Sequence, residues 1–86
     1  MKRLSEPELC KIFASNLRYL RKSRDWPLSQ EALARILQVP RKTIMNYESG
    51  SASLSAYVVY RIADYFHISM EELLTKKLCE ERKNTF

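Results

Sequence analysis

Apolar residues recur at helical spacing in the first quarter of the chain. From Leu9 to Leu20 they lie three or four residues apart, as on one face of an amphipathic helix. The preceding Ser5-Glu6-Pro7-Glu8 has the pattern of a capping box with proline in the first turn. We therefore predict a first helix over about residues 6–23. A loop follows at Pro27, because a proline disfavours the helical conformation of the residue before it.

Two shorter helical patterns come next, separated by a tight turn. Ser29 is the predicted N-cap of a second helix, which Val39-Pro40 ends. A third helix is predicted over about residues 41–48, stopping before Gly50. The inward-facing residues predicted for the second helix are Ala32, Leu33, Ile36 and Leu37. Both helices are too short to be stable alone, so each must pack against the rest of the fold.

The last third of the chain contains two more helical patterns. A fourth helix is predicted to begin near Ser55 and to end at His67. Ser69-Met70-Glu71-Glu72 has a second capping-box pattern and opens a fifth helix that extends toward Leu78. Residues 80–86 are expected to be a frayed tail.

The composition agrees with one compact all-α domain. The 86 residues are 45 % hydrophobic and 29 % charged and include one glycine, which is typical of a soluble helical protein and short for two folded units. The pattern contains no strand signal and no internal repeat. We therefore predict a single five-helix domain over residues 1–86, with a core at about residues 6–79.

The charge is unevenly placed. The chain carries a formal charge of +5; residues 1–25 hold seven Lys and Arg against three acids, whereas residues 55–86 hold five of each. Such an excess suits a polyanionic partner, although a charge of this size is also common in proteins that do not bind nucleic acid. The sequence lacks a long apolar run and, from Met1 to Leu9, an apolar signal-peptide region, so we expect a cytoplasmic protein and no membrane partner.

The sequence shows no pattern of a metal site or of an enzyme. Cys10 and Cys79 are far apart, and His67 is the single histidine. We therefore expect reduced thiols, no metal and no cofactor. Because the chain has no Ser-His-Asp set, no paired-carboxylate pattern and no glycine-rich phosphate loop, we do not expect catalysis.

Four blocks within about residues 9–75 resemble the XRE family, the phage Cro and repressor type of helix-turn-helix domain. They are Asn16-Leu17-Arg18 with Leu20-Arg21, Leu28 to Glu31 with Leu33-Ala34, Thr43-Ile44 with Tyr47-Glu48 and Gly50, and Ile62-Ala63 with Ile68-Ser69 and Glu72 to Leu74. The resemblance implies a lambda-repressor-like domain in which helices two and three form the helix-turn-helix. It also implies that helix three enters the major groove of double-stranded DNA.

The outer face of helix three carries the predicted base contacts, because Ile44 and Tyr47 face inward. These contacts are Arg41, Lys42, Met45 and Asn46. Arginine and lysine donate to guanine O6 and N7, whereas asparagine pairs with adenine N6 and N7 or holds a phosphate. The methionine either touches a thymine methyl or is an ordinary surface residue, and the basic pair is otherwise a solvated surface feature.

The resemblance also implies phosphate contacts. Gln30 corresponds to the family glutamine that binds phosphate at the start of helix two, although a residue there also serves the first turn of a helix. Further phosphate candidates are Arg21, Ser29, Thr43 and Ser51. Arg21 and Glu48 also match a partly buried ion pair of relatives that would lock helix one to the end of helix three; the alternative is two unrelated surface charges.

Several positions depart from the family pattern or serve its packing. Gln38 stands where relatives have glycine, so a left-handed conformation there would cost about 1 kcal/mol. Pro40 replaces the usual Ser or Thr cap of helix three. Ala34 is small enough to let helices two and three cross closely. Trp26 is expected to fill the core. His67, also at a glycine position of relatives, is expected to stabilise a helix C-terminus.

Together these features predict a sequence-specific transcriptional regulator that binds operator DNA as a homodimer. The dimer is expected to form through helices four and five, and the candidate interface residues are Tyr57, Val58, Tyr60 and Tyr65. The sequence leaves open an antitoxin with a toxin partner and a restriction-modification controller. It also leaves open a protein-interaction module that kept the fold.

Overall fold

Five helices form the fold in a computed structural model that describes residues 3–23, 27–50 and 53–78. They are α1 (Glu6–Lys22), α2 (Gln30–Leu37), α3 (Arg41–Ser49), α4 (Ala56–Phe66) and α5 (Met70–Thr75). Since these residues contain no strand, the predicted all-α five-helix class is confirmed. Within the same ranges, every helix is too short or too polar to cross a bilayer.

Serine side chains begin four of the helices. The hydroxyl of each accepts a hydrogen bond from the backbone N–H three residues on, and these N-caps are Ser5, Ser29, Ser55 and Ser69. Both predicted capping boxes are present, with Glu8 and Glu72 returning the bond. Helix α3 differs because Pro40 precedes it and supplies no side-chain cap. The φ of −61° at this proline instead presets the chain for a helix start.

The turn between α2 and α3 is a Schellman motif centred on Gln38. This residue has φ 58° and ψ 45°, in the left-handed region. Its N–H donates to the Arg35 carbonyl at 3.2 Å, and the Val39 N–H donates to the Ala34 carbonyl at 3.0 Å. These bonds satisfy the carbonyls that the end of a helix leaves unpaired. Gln38 therefore adopts the left-handed conformation that costs a residue with a side chain about 1 kcal/mol.

The same motif ends α4. His67 has φ 59°, its N–H donates to the Asp64 carbonyl at 3.2 Å, and the Ile68 N–H donates to the Ala63 carbonyl at 3.0 Å. Two helices of the domain therefore end on a left-handed residue that carries a side chain, where glycine is usual.

Helix α1 lies at the centre of the packing and contacts both α3 and α5, while α2 packs on α3. Phe13 and Leu17 of α1 are fully buried, and the Phe13 ring meets the Tyr47 ring edge to face, with the centroids 5.7 Å apart. The other core residues are Leu20, Leu33, Ala34, Leu37, Ile44, Val59, Ile62, Ala63, Leu73 and Leu78. The apolar side chains of all five helices thus meet in one cluster, to which Leu78 adds from beyond α5.

The prediction that Ile36 faces inward is wrong. Its side chain is 40 % exposed, whereas Leu33 and Leu37 are buried. Successive helical residues are rotated by about 100°, and the buried residues of this short helix are Leu33, Ala34 and Leu37. Ile36 therefore lies at the edge of the buried stripe.

Asn16 ties α1 to the segment that follows α5. Its amide Nδ2 donates to the carbonyls of Leu73 at 2.7 Å and Lys76 at 2.6 Å. Its Oδ1 accepts from the backbone N–H of Leu78 at 3.1 Å. Helix α5 ends at Thr75, earlier than the sequence pattern indicates, because these bonds replace the helical partners of the carbonyls at its end.

Glycine at either left-handed helix end should stabilise the domain. Gln38→Gly and His67→Gly each remove the clash between Cβ and the backbone, and we expect each to raise the free energy of unfolding by about 1 kcal/mol. Urea unfolding followed by circular dichroism measures the change. Gly50→Ala is the matched control and should lower the stability. The φ of Gly50 is +78°, and an added Cβ would meet no described atom closer than 3.8 Å, so backbone strain alone is tested. Equal or lower stability of both glycine variants would contradict the assignment of strain.

Candidate nucleic-acid interface

One exposed face of α3 carries all four predicted base-contacting residues. Arg41, Lys42, Met45 and Asn46 are exposed, whereas Ile44 is fully buried behind them. Among the described residues, the Arg41, Lys42 and Asn46 side chains make no hydrogen bond or ion pair. Their donors and acceptors are therefore available to an external partner, and base contact by these residues stays a prediction.

The charge at the start of α3 is the reverse of what stabilises a helix. A helix N-terminus favours acids and disfavours cations, and α1, α2 and α5 each have an acid in the first turn. Helix α3 begins with Arg41 and Lys42, has no acid in its first turn and has no side-chain cap. Local stability does not account for this placement, which favours a role for the two cations outside the helix.

A short turn sets the angle between α2 and α3. Gln38, Val39 and Pro40 separate the two helices, and the Thr43 N–H donates to the Pro40 carbonyl at 2.9 Å in the first turn of α3. Ala34, which is 3 % exposed, lies on the buried side of α2. A larger side chain at this position would force the helices apart.

A buried carboxylate fixes the other end of α3. Glu48 is 4 % exposed, and its Oε2 and Oε1 accept from Arg21 Nε at 2.7 Å and Arg21 Nη2 at 2.9 Å. This paired geometry is the strongest form of an arginine-carboxylate contact. The interpretation of Arg21 and Glu48 as an ion pair joining α1 to the end of α3 is confirmed.

Arg21 is not presented to solvent. Its remaining nitrogen, Nη1, donates to the Leu28 carbonyl at 2.8 Å, and the Leu28 N–H donates back to the Arg21 carbonyl at 3.0 Å. All three guanidinium nitrogens therefore have protein acceptors, and the residue is 8 % exposed. This geometry does not favour the phosphate contact expected of Arg21 from the sequence. Arg21 instead holds the start of the segment that leads into α2.

Gln30 joins the same carboxylate from α2. The side chain is half-buried, and its Nε2 donates to Glu48 Oε1 at 3.2 Å. Since an amide nitrogen carries two hydrogens, one donor of Gln30 stays available beside the start of α2. The first backbone N–H groups of α2 also have no acceptor within the helix itself. The predicted phosphate anchor therefore lies at a helix N-terminus, with its amide oriented by Glu48.

Two residues near this anchor have different surroundings. Ser29 is exposed, and its hydroxyl oxygen accepts from the Ala32 N–H at 3.0 Å, which leaves the hydroxyl hydrogen for an external acceptor. Thr43 is half-buried in the first turn of α3. Two further predictions, the phosphate contact of Ser51 and the core position of Trp26, lie outside the described residues.

Sequence reasoning assigned no role to Arg18, which the structure places at the end of α3. Its Nη1 donates to the backbone carbonyl of Glu48, close to the left-handed C-cap at Gly50. A cation at this end stabilises the helix dipole. Arg18 belongs to one of the family-like blocks, but helical periodicity shows only that it is exposed and gives no sign of its acceptor.

The described residues contain no group of three or more His, Cys, Asp or Glu side chains that could hold a metal ion. Cys10 is buried in α1, and Cys79 lies outside the described residues. The chemistry of the α2–α3 surface is therefore that of hydrogen-bond donors, cations and one exposed thioether.

Comparison with known proteins identifies this arrangement. A family model described as helix-turn-helix matches residues 17–73. Among solved structures, the chain is similar to the crystal structure of the hypothetical transcription factor NHTF from Neisseria. The TM-score is 0.73 at 22 % identity, and the match covers 96 % of this chain and 93 % of that chain. At this identity the likeness shows the fold. A search of curated proteins gave no significant match.

The Arg21–Glu48 pair should be strongly coupled. Arg21→Met leaves the Glu48 carboxylate buried without its cation, and we expect a loss of about 3–5 kcal/mol in the free energy of unfolding. In Arg21→Met/Glu48→Leu both charges are absent, so much of that loss should be recovered. Chemical unfolding of the two single variants and the double variant measures the coupling energy.

The exposed Arg35–Glu31 pair is a matched control. Its atoms are 3.1 Å apart and its side chains are 79 % and 60 % exposed. We expect Arg35→Met to change the stability by less than about 1 kcal/mol. The opposite result would be a small loss of unfolding free energy in each single variant, similar to that of Arg35→Met, and a double variant whose loss is the sum of the two. That result would show that the buried carboxylate does not hold the three helices together.

Proposed function

The chain belongs to the XRE family of helix-turn-helix DNA-binding domains, and from that premise we propose that it is a transcriptional regulator that recognises operator DNA with α3 in the major groove. The observation that carries the proposal is the start of α3. There, two cations that have no partner among the described residues stand where acids would stabilise the helix. The phosphate backbone of DNA supplies the missing negative charge.

The exposed face of α3 suits sequence readout. Arg41 and Lys42 donate to guanine O6 and N7, Asn46 pairs with the N6 and N7 edge of adenine, and Met45 contacts a thymine methyl. Met45 is 46 % exposed, so it offers apolar surface to an external partner. The buried Glu48 and Ile44 keep this face in one orientation.

The start of α2 contacts the DNA backbone. Gln30 and the first N–H groups of α2 donate to one phosphate, in line with the favourable dipole of a helix N-terminus. Ser29 and Thr43 are additional donors at the same edge of the motif. Arg21 does not belong to this set, since Glu48 and Leu28 occupy its donors. Arg21 favours the phosphate contact indirectly, because it neutralises the Glu48 carboxylate beside the phosphate.

The regulator binds as a homodimer on a pseudo-palindromic operator. One module of this kind covers only about 600–1,000 Å² of surface on DNA, which is little for strong specificity. Two copies related by a twofold axis read two half-sites about one helical turn apart. The fold shared with a hypothetical transcription factor agrees with a role in transcription.

Selection of bound duplexes from random DNA, followed by fluorescence anisotropy, tests the proposal. We expect a symmetric site whose affinity falls steeply between about 50 and 200 mM salt, because several phosphates release counterions. Failure of the folded protein to bind any duplex, or a flat salt response, would contradict DNA binding and favour a protein-interaction module.

Two substitutions separate base readout from phosphate contact. Arg41→Ala should cost about 1–3 kcal/mol on the selected operator and relax one base position, whereas Gln30→Ala should weaken all duplexes to a similar degree. Lys76→Ala is the control for loss of one exposed positive charge away from α2 and α3, and it should leave the affinity within about twofold. Equal losses for Arg41→Ala on operator and random DNA would remove Arg41 from the base-reading set.

A further inference from the structure

The hydroxyl of Tyr47 links α3 to the start of α4. Its oxygen accepts a hydrogen bond at 3.0 Å from the backbone N–H of Ser55, which lies eight residues later in the chain. The Tyr47 side chain is buried, and its ring lies edge to face against Phe13 of α1. Ser55 is the N-cap of α4. The bond therefore closes the connection between the two helices from the core side.

This bond takes the place of a capping box. In α1 and α5, the N–H of the N-cap serine donates to the glutamate three residues on, at 3.2 Å for Glu8 and 3.4 Å for Glu72. The corresponding residue of α4 is Val58, whose side chain offers no acceptor. The acceptor for the Ser55 N–H comes instead from another helix. A local cap is thus replaced by a contact between α3 and α4.

Tyr47 and Glu48 hold opposite edges of the buried side of α3. Successive residues of a helix are rotated by about 100°, so these two residues lie on either side of the fully buried Ile44. Glu48 is bound by Arg21 from α1 and Gln30 from α2, whereas Tyr47 is bound to the start of α4. Contacts on one edge alone would leave α3 able to roll about its axis. Contacts on both edges oppose that roll in either sense.

The roll of α3 sets the direction of its outward side chains. A helix with its side chains has a radius of about 5–6 Å, so a roll of about 10–20° moves the tips of Arg41, Lys42 and Asn46 by about 1–2 Å. Groups in a binding site must be held to within about 0.5 Å. Such a roll therefore disrupts bidentate hydrogen bonds to base edges. The attraction of cations to phosphates depends on distance and not on direction, so it is affected less.

We propose that the Tyr47 hydroxyl is a positioning group for sequence recognition. Its bond to Ser55 fixes the roll of α3, and with it the base contacts of this helix. Tyr47 itself lies on the core side of α3, away from the exposed face. The proposal rests on the proposed function for the role of α3 in the major groove. It adds a residue that determines specificity from behind the contact surface.

Tyr47→Phe tests the role of the hydroxyl, because the ring and its packing against Phe13 are retained. Fluorescence anisotropy measures the affinity of the full chain for the duplex selected from random DNA and for a scrambled duplex of equal length. We expect the ratio of the two affinities to fall at least about fivefold, the lower limit for the loss of one base contact. The slope of log affinity against log salt should stay unchanged, because the phosphate contacts remain.

Tyr57→Phe is the matched control. Tyr57 is exposed, and its hydroxyl accepts from Arg61 of the same helix at 3.2 Å. The substitution therefore removes a tyrosine hydroxyl whose bond does not join two helices. It should leave the affinity ratio within about twofold of that of the original chain.

The donor side of the bond gives an independent test. The φ of Ser55 is −81°, close to the value that proline requires. Ser55→Pro removes both the N–H and the cap hydroxyl, whereas Ser55→Ala removes the hydroxyl alone. We expect the affinity ratio to fall with proline and to stay near that of the original chain with alanine. Since Tyr47→Phe already lacks the bond, adding Ser55→Pro to it should lower the ratio by no more than about twofold further.

Circular dichroism establishes that each variant is folded under the conditions of the binding measurement; if Tyr47→Phe is not, the two Ser55 variants decide. An unchanged affinity ratio in Tyr47→Phe overturns the proposal. An equal loss of affinity for both duplexes also overturns it, because the bond would then only stabilise the fold. Equal ratios for Ser55→Pro and Ser55→Ala have the same meaning.

These outcomes leave the proposed function standing, since the original chain still distinguishes its selected duplex from the scrambled one. Failure of the original chain to bind any duplex contradicts the proposed function itself, and the positioning role of Tyr47 with it.

Discussion

The burial of one carboxylate organises the domain. Glu48 loses nearly all contact with water, which costs several kcal/mol unless the charge finds well-placed partners. Arg21 from α1 and Gln30 from α2 both donate to it. Both donors reach the carboxylate in the observed arrangement of the three helices, and in that arrangement the opposite side of α3 faces outward. The position of the outward face of α3 thus follows from an interaction behind it.

The two ends of α3 are fixed by different means. At its start, the Schellman turn at Gln38 and the preset φ of Pro40 replace a side-chain cap. At its end, the Glu48 cluster, the Arg18 donor and the left-handed Gly50 hold the last turn. A helix of nine residues would not be stable alone. Because its termini are held by contacts on the core side, its outward residues are left to meet an external partner.

Local rules predicted the local features of this fold. The serine caps, the capping boxes and the left-handed Gln38 depend on residues within a few positions of each other, so the sequence pattern contained the needed information. The Gln30–Glu48 bond joins residues 18 positions apart, and the Arg18–Glu48 bond joins residues 30 apart. Such contacts depend on how whole helices pack. For the same reason the sequence pattern predicted both an ion pair and a phosphate contact for Arg21, and its burial favours the ion pair.

The bonds of Asn16 have a consequence for the order in which the domain forms. Its partners Leu73 and Leu78 come 57 and 62 residues later in the chain. During synthesis, α1 therefore emerges long before the backbone groups that pair with its buried amide, and closing so long a loop is slow. A nascent chain that stops before these residues leaves Asn16 unsatisfied in an incomplete core. The buried amide of Asn16 therefore obtains its full set of partners only once the chain has been synthesised through residue 78.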